Sequence, residues 1–226
     1  MVREELQRTA KLLGENAVER LSGVKIAVFG LGGVGGHAAE ALVRTGVGAL
    51  DIIDGDTVAL SNLNRQLVAL HSTVGQLKTD VCEKRFLDIN PELKLRKFPL
   101  FFGEETAEKF DFTEYDYVLD CIDDVSAKVL LVETCARKNV RIISSMGAGN
   151  KLNPMGFKVA DIYETSVCPL ARVMRQRLRK AGVERLRVVY STEEPVITER
   201  TPASCAYVPS AAGLLMAATV IDELTR

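Results

Sequence analysis

Four glycines, Gly30, Gly32, Gly33 and Gly35, stand close together early in the chain, and the residues after them could complete a nucleotide site. A glycine turn that opens a helix presents free backbone N–H groups to an anion and lets a phosphate approach closely. Asp54 ends the next apolar run, at the distance where a carboxylate can hold ribose hydroxyls. Asp56, Asn62, Arg65, Gln66 and Lys78 follow. Backbone amides alone can largely satisfy the two bridged phosphates of a dinucleotide. The planar fork of Arg65 and the mobile charge of Lys78 match more negative charge, as on a triphosphate. Asp120, Asp123 and Asp124 follow a later apolar run, which would bring them to the same edge. Carboxylates suit magnesium, a hard cation that takes one or two of them together with substrate phosphates. The alternative of another class is an NAD-dependent oxidoreductase built on the same glycine turn. It leaves Arg65, Gln66, Lys78 and Asp123 without a role.

The elements that would position these residues follow from periodicity. Residues 24–29 form a short apolar run with a β-branched bias, read as a buried strand, and residues 34–45 continue as an Ala-rich helix. Strands at 49–53, 93–98, 117–121 and 140–144 then alternate with helices at 78–89, 104–110 and 126–138. Asn90-Pro91 stops the first of these helices, and Ser126 is the expected N-cap of the last. That alternation predicts an α/β, Rossmann-like, doubly wound and mostly parallel sheet with its ligand at the carboxyl ends of the strands. Apolar positions in 6–21 recur at helical spacing with a break at Gly14. After a loop at 146–149 come strands at 157–162 and 187–190, a basic helix at 169–181 and an apolar helix, rich in Ala and Gly, at 208–224. The expected organisation is one domain over 1–226, with N-terminal helices (1–23), a nucleotide-binding core (24–149) and a C-terminal substrate or dimer portion (150–226).

Five blocks in order, Gly30–Gly35, Asp54-Gly-Asp56, Asn62-Leu-Asn64-Arg65-Gln66, Lys78 and Asp120-Cys-Ile-Asp123-Asp124, resemble the adenylation domain of ThiF-type, ubiquitin-activating-enzyme-like proteins. The resemblance spans nearly the whole chain and implies ATP with magnesium, used to activate a carboxylate as an acyl-adenylate. It implies that Gly30, Gly32, Gly33 and Gly35 accommodate the nucleotide, with Asp54 and Asp56 beside them and Asp54 on the ribose. Asn62, Arg65, Gln66 and Lys78 would act on the phosphates, and Asp123 would hold the metal. Many relatives have Asn where this chain has Asp124. An N-terminal arginine, matched here by Arg8, would reach across a homodimer to the partner's ATP.

Three further stretches, 8–14, 161–171 and 189–193, resemble the branch of that family that acts on threonylcarbamoyladenosine in tRNA. Arg172, Arg175, Arg177, Arg179, Lys180, Arg185 and Arg187 stand against Glu184 alone, a cluster that could neutralise tRNA phosphates. The runner-up substrate is the C-terminal Gly-Gly of a ubiquitin-like sulfur carrier. Enzymes of that kind usually carry two zinc-binding C-x-x-C pairs, which this sequence lacks, and sulfur-relay proteins remain possible partners on either reading.

A net charge of −1 gives no global attraction to nucleic acid, so RNA binding would need that local patch. Five scattered cysteines, Cys82, Cys121, Cys135, Cys168 and Cys205, form neither a zinc set nor a disulfide framework. Cys82, Cys121 and Cys135 read as buried packing residues, and Cys168 as a loop residue at a helix start. No catalytic cysteine is assigned. No apolar run approaches the ~20 residues that span a bilayer, so a cytoplasmic protein is expected.

Overall fold

The computed structural model describes residues 2–197 and 202–226. Its first two helices, α1 (Gln7–Leu13) and α2 (Glu15–Ser22), break at Gly14 as the spacing predicts. The strands are β1 (Lys25–Phe29), β2 (Ala49–Ile53), β3 (Lys94–Phe98), β4 (Tyr117–Asp120), β5 (Ile142–Ser145), β6 (Phe157–Asp161) and β7 (Arg187–Ser191). The remaining helices are α3 (Gly35–Thr45), α4 (Lys78–Ile89), α5 (Val125–Lys138), α6 (Pro169–Lys180) and α7 (Tyr207–Thr225). Among the described residues the seven strands join one sheet in the order β3-β2-β1-β4-β5-β7-β6, parallel except for the β6–β7 pair.

Central strands of a parallel sheet are covered on both faces, which is why they read as continuous apolar runs. In β1, Ile26 and Val28 face a core shared with Leu42 of α3, Phe86 of α4, and Met216 and Val220 of α7. Ala27 and Phe29 point the other way, into an aromatic cluster with Phe102, Phe110 and Phe112 over Leu131 of α5. β1 pairs with β2 on one side and β4 on the other, in the registers Ile26↔Leu50 and Ile26↔Tyr117. The chain therefore leaves β1 and β4 in opposite directions, and the crevice between those two strand ends is where a doubly wound sheet takes its ligand.

Some local expectations are corrected. The helix expected at 104–110 is reduced to one 3-10 turn, Ala107–Lys109. The Thr106 hydroxyl accepts from Gly103 N–H and donates to Phe101 O, a local alternative to helical bonding. Ser126 does not cap α5. Asp124 does, accepting from Ala127 N–H at 2.8 Å, so the helix starts one residue earlier. β4 stops at Asp120 and β5 starts at Ile142, after Asn139 closes α5 in the left-handed region.

α7 is long and apolar enough to cross a membrane by length and composition, contrary to the expectation that no run comes near that limit. Its apolar side instead packs within the chain. Val208, Ala212, Met216, Ala217, Val220 and Leu224 are buried, each large side chain worth about 1.5–3 kcal/mol. Gly213 lets it approach α3 closely, for a Cβ there would lie 2.2 Å from Val34 O.

Candidate active site

The glycine turn is shaped by two close approaches. Gly30 has φ +91°, and a Cβ on it would lie 2.6 Å from Cys121 O at the end of β4. A Cβ on Gly35 would lie 1.8 Å from Gly30 O, so the turn folds onto the start of α3 only without a side chain there. The other two glycines differ. Gly33 packs under Pro209 of α7, whereas the nearest atom to a Cβ on Gly32 is Gln66 Nε2, 3.9 Å away. Gly32 therefore marks the open side of the turn.

Asp54 sits at the carboxyl end of β2, 8% exposed, and its two oxygens accept from Leu31 N–H (2.7 Å) and Asp56 N–H (2.8 Å). Burial raises its carboxyl above the ordinary aspartate range, opposed by Lys78 and the two backbone N–H groups. The Lys78 ammonium, itself 4% exposed, lies 2.7 Å from Asp56 Oδ2 and 3.8 Å from Asp54 Oδ2. The structure thus brings Asp54, Asp56, Lys78 and the glycine turn together as one charge-paired unit.

The loop after β2 supplies the next group. Asn62 accepts from Ala59 N–H through its side chain, and its carbonyl accepts from Arg65 N–H and Gln66 N–H. Arg65 is half-buried, donating to Ser61 O and Asn64 Oδ1. Gln66 is 9% exposed, and its Oε1 is buried with no hydrogen-bond partner among the described residues. A buried amide oxygen left without a partner beside the glycine turn fits a ligand hydroxyl that donates to it.

The acids after β4 divide into three roles. Asp120 is wholly buried, held by Lys128 Nζ at 2.9 Å, Ser144 Oγ at 2.5 Å and Ile122 N–H at 3.2 Å. It is a structural acid. Asp124 caps α5, and Asp123 is exposed with no hydrogen-bond or ion-pair partner among the described residues. Asp123 is thus the acid of the three left available to a cation. No group of three or more His, Cys, Asp or Glu side chains that could hold a metal ion is found among the described residues. The sequence reading missed Lys128, which donates to Ile122 O at 3.1 Å as well as to Asp120. Its signal was position. It lies on the stripe that also carries Leu131, Val132 and Cys135, where a solvated lysine does not belong.

The basic helix α6 is less uniform than its sequence. Arg175 is anchored to the carbonyl and hydroxyl of Thr165, Arg179 lies 5.1 Å over the Tyr163 ring, and Arg177 donates to Ser126 Oγ at 3.1 Å. Arg172 and Lys180 are exposed and unpaired among the described residues, as is Arg8 on α1. Cys82 and Cys135 are wholly buried and Cys121 partly so, as packing residues of core clusters. Burial pushes all three thiols up, that of Cys121 to about 12, which disfavours nucleophilic roles. Cys168 is the non-helical N-cap of α6, the loop position at a helix start expected from the sequence, and it is buried at 1% exposure.

The ThiF family model matches residues 5–226. A tRNA threonylcarbamoyladenosine dehydratase of Bacillus subtilis is 39% identical, over 98% of this chain and 95% of that protein. One from Escherichia coli is 36% identical over 93% of this chain and 82% of its own length. Crystal structures of the Escherichia coli enzyme, TcdA, in complex with AMP and with ATP, superpose with a TM-score of 0.93 at 33% identity. They cover 98% of this chain and 94% of theirs. More distant structures, such as Escherichia coli MccB at 20% identity and a TM-score of 0.70, share the fold. The family model and two relatives above 30% identity span nearly the whole chain, and this chain belongs to the ThiF family.

Proposed function

We propose that this chain is an ATP-dependent tRNA threonylcarbamoyladenosine dehydratase, acting as one adenylation domain over its whole length. The observation that carries the reading is the unit formed by the open glycine turn, Asp54, Asp56 and buried Lys78, with an exposed, unengaged Asp123 shortly after the adjacent strand β4. Near-full-length similarity to two enzymes of that name supports it.

A carboxylate is a poor acyl donor, because its leaving group is an oxide. Attack of the threonine carboxylate of the modified adenosine on the α-phosphorus of ATP expels pyrophosphate and leaves an acyl-AMP. Internal attack on that acyl carbon then closes a ring, releases AMP and removes one water overall. The protein's part is to position and to neutralise charge. The turn at Gly32 accommodates phosphates, and Asp54 orients the ribose while its backbone bonds keep the turn shaped. Lys78, Arg65, Asn62 and Gln66 stabilise the phosphates and the departing pyrophosphate. Asp123 would hold magnesium, which would screen phosphate charge when bound. Arg8, exposed on α1, would complete the site of a partner subunit in a homodimer. Arg172 and Lys180 are the cations of α6 best placed to meet tRNA phosphates, because Arg175 and Arg179 are engaged within the chain.

The test is AMP and pyrophosphate release by purified protein with and without tRNA bearing threonylcarbamoyladenosine. Release that depends on that tRNA, with loss of one water in its nucleoside, is expected. Release that requires a Gly-Gly-ended carrier protein instead would refute the substrate, and absence of ATP turnover would refute the class. For the in-trans role, an Arg8→Ala chain mixed with a Lys78→Ala chain should regain part of the activity each lacks alone. No recovery in the mixture would remove Arg8 from the site.

A further inference from the structure

The Arg65 guanidinium is tied down on one side only. Its Nη1 donates to Ser61 O at 3.0 Å and to Asn64 Oδ1 at 2.8 Å, while Nε and Nη2 have no partner among the described residues. The stem of the side chain lies along the glycine turn, for a Cβ on Gly33 would be 3.5 Å from Arg65 Cγ. One corner of the fork is therefore fixed beside the turn, and the opposite edge is open to an anion. Asn64 is itself held from far along the chain. Its Nδ2 donates to Ser204 O at 2.9 Å, a bond between residues 140 apart in sequence. With Oδ1 and Nδ2 both in use, the amide has one orientation. The segment that carries Ser204 is pinned in turn by Asn150. Ala203 O accepts from Asn150 N–H at 2.7 Å, and Ala203 N–H donates to Asn150 Oδ1 at 2.6 Å. Asn150 stands at φ +60°, which asparagine adopts more readily than most residues, and its carbonyl accepts from Val196 N–H at 2.8 Å. A run of bonds thus ties the loop after β5, by way of the segment before α7, to the loop that carries Arg65.

We propose that Asn64, braced by the Ser204 carbonyl, is a positioning residue that presets the Arg65 fork for the phosphates of ATP and the departing pyrophosphate. The inference rests on the phosphate role given to Arg65 above and deepens it. A free arginine side chain loses much rotamer freedom when it settles on a phosphate. Asn64 takes part of that loss at folding, so less remains to be lost in the transition state. An amide also suits the task better than an acid. It orients the guanidinium through a neutral oxygen and leaves the positive charge whole for the phosphates, whereas a carboxylate would form an ion pair that competes with them.

The test is a double-mutant cycle on wild type, N64A, R65A and N64A/R65A, read as single-turnover AMP formation with enzyme in excess over tRNA bearing threonylcarbamoyladenosine. N64A is expected to slow AMP formation about tenfold, the share of one hydrogen bond in holding the fork. Asn64 is exposed, so its melting temperature should stay within about 2 °C of the wild type. In the R65A background the same change should add nothing, leaving N64A/R65A within about twofold of R65A alone. An Asn64 that only supports the loop would instead slow both backgrounds by the same factor. That result, or an N64A rate within about twofold of the wild type, would overturn the proposal while leaving the nucleotide site intact. R65A turnover equal to the wild type would remove the phosphate role on which the inference rests, and a wild-type chain that forms no AMP would remove the reading of the site itself.

Discussion

Replacing Lys128 by methionine keeps the length and apolar stem of the side chain and deletes only its charge. The ammonium is wholly buried, with Asp120 Oδ2 at 2.9 Å and Ile122 O at 3.1 Å as its partners. Without it, Asp120 stays at 0% exposure with only the Ser144 hydroxyl and Ile122 N–H against its charge. Breaking one side of a buried ion pair costs about 3–5 kcal/mol, because the remaining charge has neither water nor counterion. With a urea dependence of roughly 2.5 kcal/mol per molar, the unfolding midpoint should fall by about 1–2 M. Removing both charges, as in D120L/K128M, should cost less than K128M alone, since no uncompensated charge is left. Equilibrium urea unfolding followed by circular dichroism measures both variants. A K128M midpoint within about 0.3 M of the wild type, well below the range expected for an orphaned buried charge, would refute the reasoning. So would a double variant whose loss equals the sum of the two single losses.

The two sides of the glycine turn should respond differently to alanine. Gly35→Ala, whose Cβ would meet Gly30 O at 1.8 Å, should prevent stable folding, while Gly32→Ala should keep the melting temperature and weaken ATP binding by calorimetry. Because burial raises the Asp54 carboxyl, the stability attributed to this group is complete below the ordinary aspartate range and is lost as pH rises through the raised value. Its protonation on acidification should weaken ATP binding at a higher pH than an ordinary aspartate would, a dependence that calorimetry from pH 7 to pH 4 should find missing in Asp54→Asn. Charge reversal at Arg172 and Lys180 should weaken tRNA binding and flatten its salt dependence in filter-binding assays without altering the melting temperature. Arg175→Glu should lower the melting temperature, because it breaks the tie to Thr165. With its thiol at about 12, native Cys121 should resist iodoacetamide at pH 8 and react once urea unfolds the chain, as peptide mass spectrometry would register.

The sheet was legible because strands buried on both faces must be apolar throughout, and the strand ends then fell within a residue or two of expectation. That Asp54, Asp56 and Lys78 belong with the glycine turn was legible from side-chain type and order along the chain, and the structure brings those residues together. What escaped were choices decided by tertiary contact or by near-equal local options. Asp124 and Ser126 are both good helix caps two residues apart, and only the geometry after β4 picks the first. Arg175 and Arg172 look alike in sequence, yet a loop carbonyl claims one of them. The Phe101-Phe102 pair has no periodicity to say which ring goes inward.

The contact between Gly213 and the Val34 carbonyl joins the last helix to the helix that opens the phosphate turn. During synthesis, a ribosome therefore releases the glycine turn long before the element that braces it exists. Until α7 emerges, the inward stripe of α3 has no cover on that side, so the first half of the chain must wait, exposed to chaperones or to aggregation. A contact spanning most of the polypeptide also makes for slow closure of the nucleotide pocket during refolding.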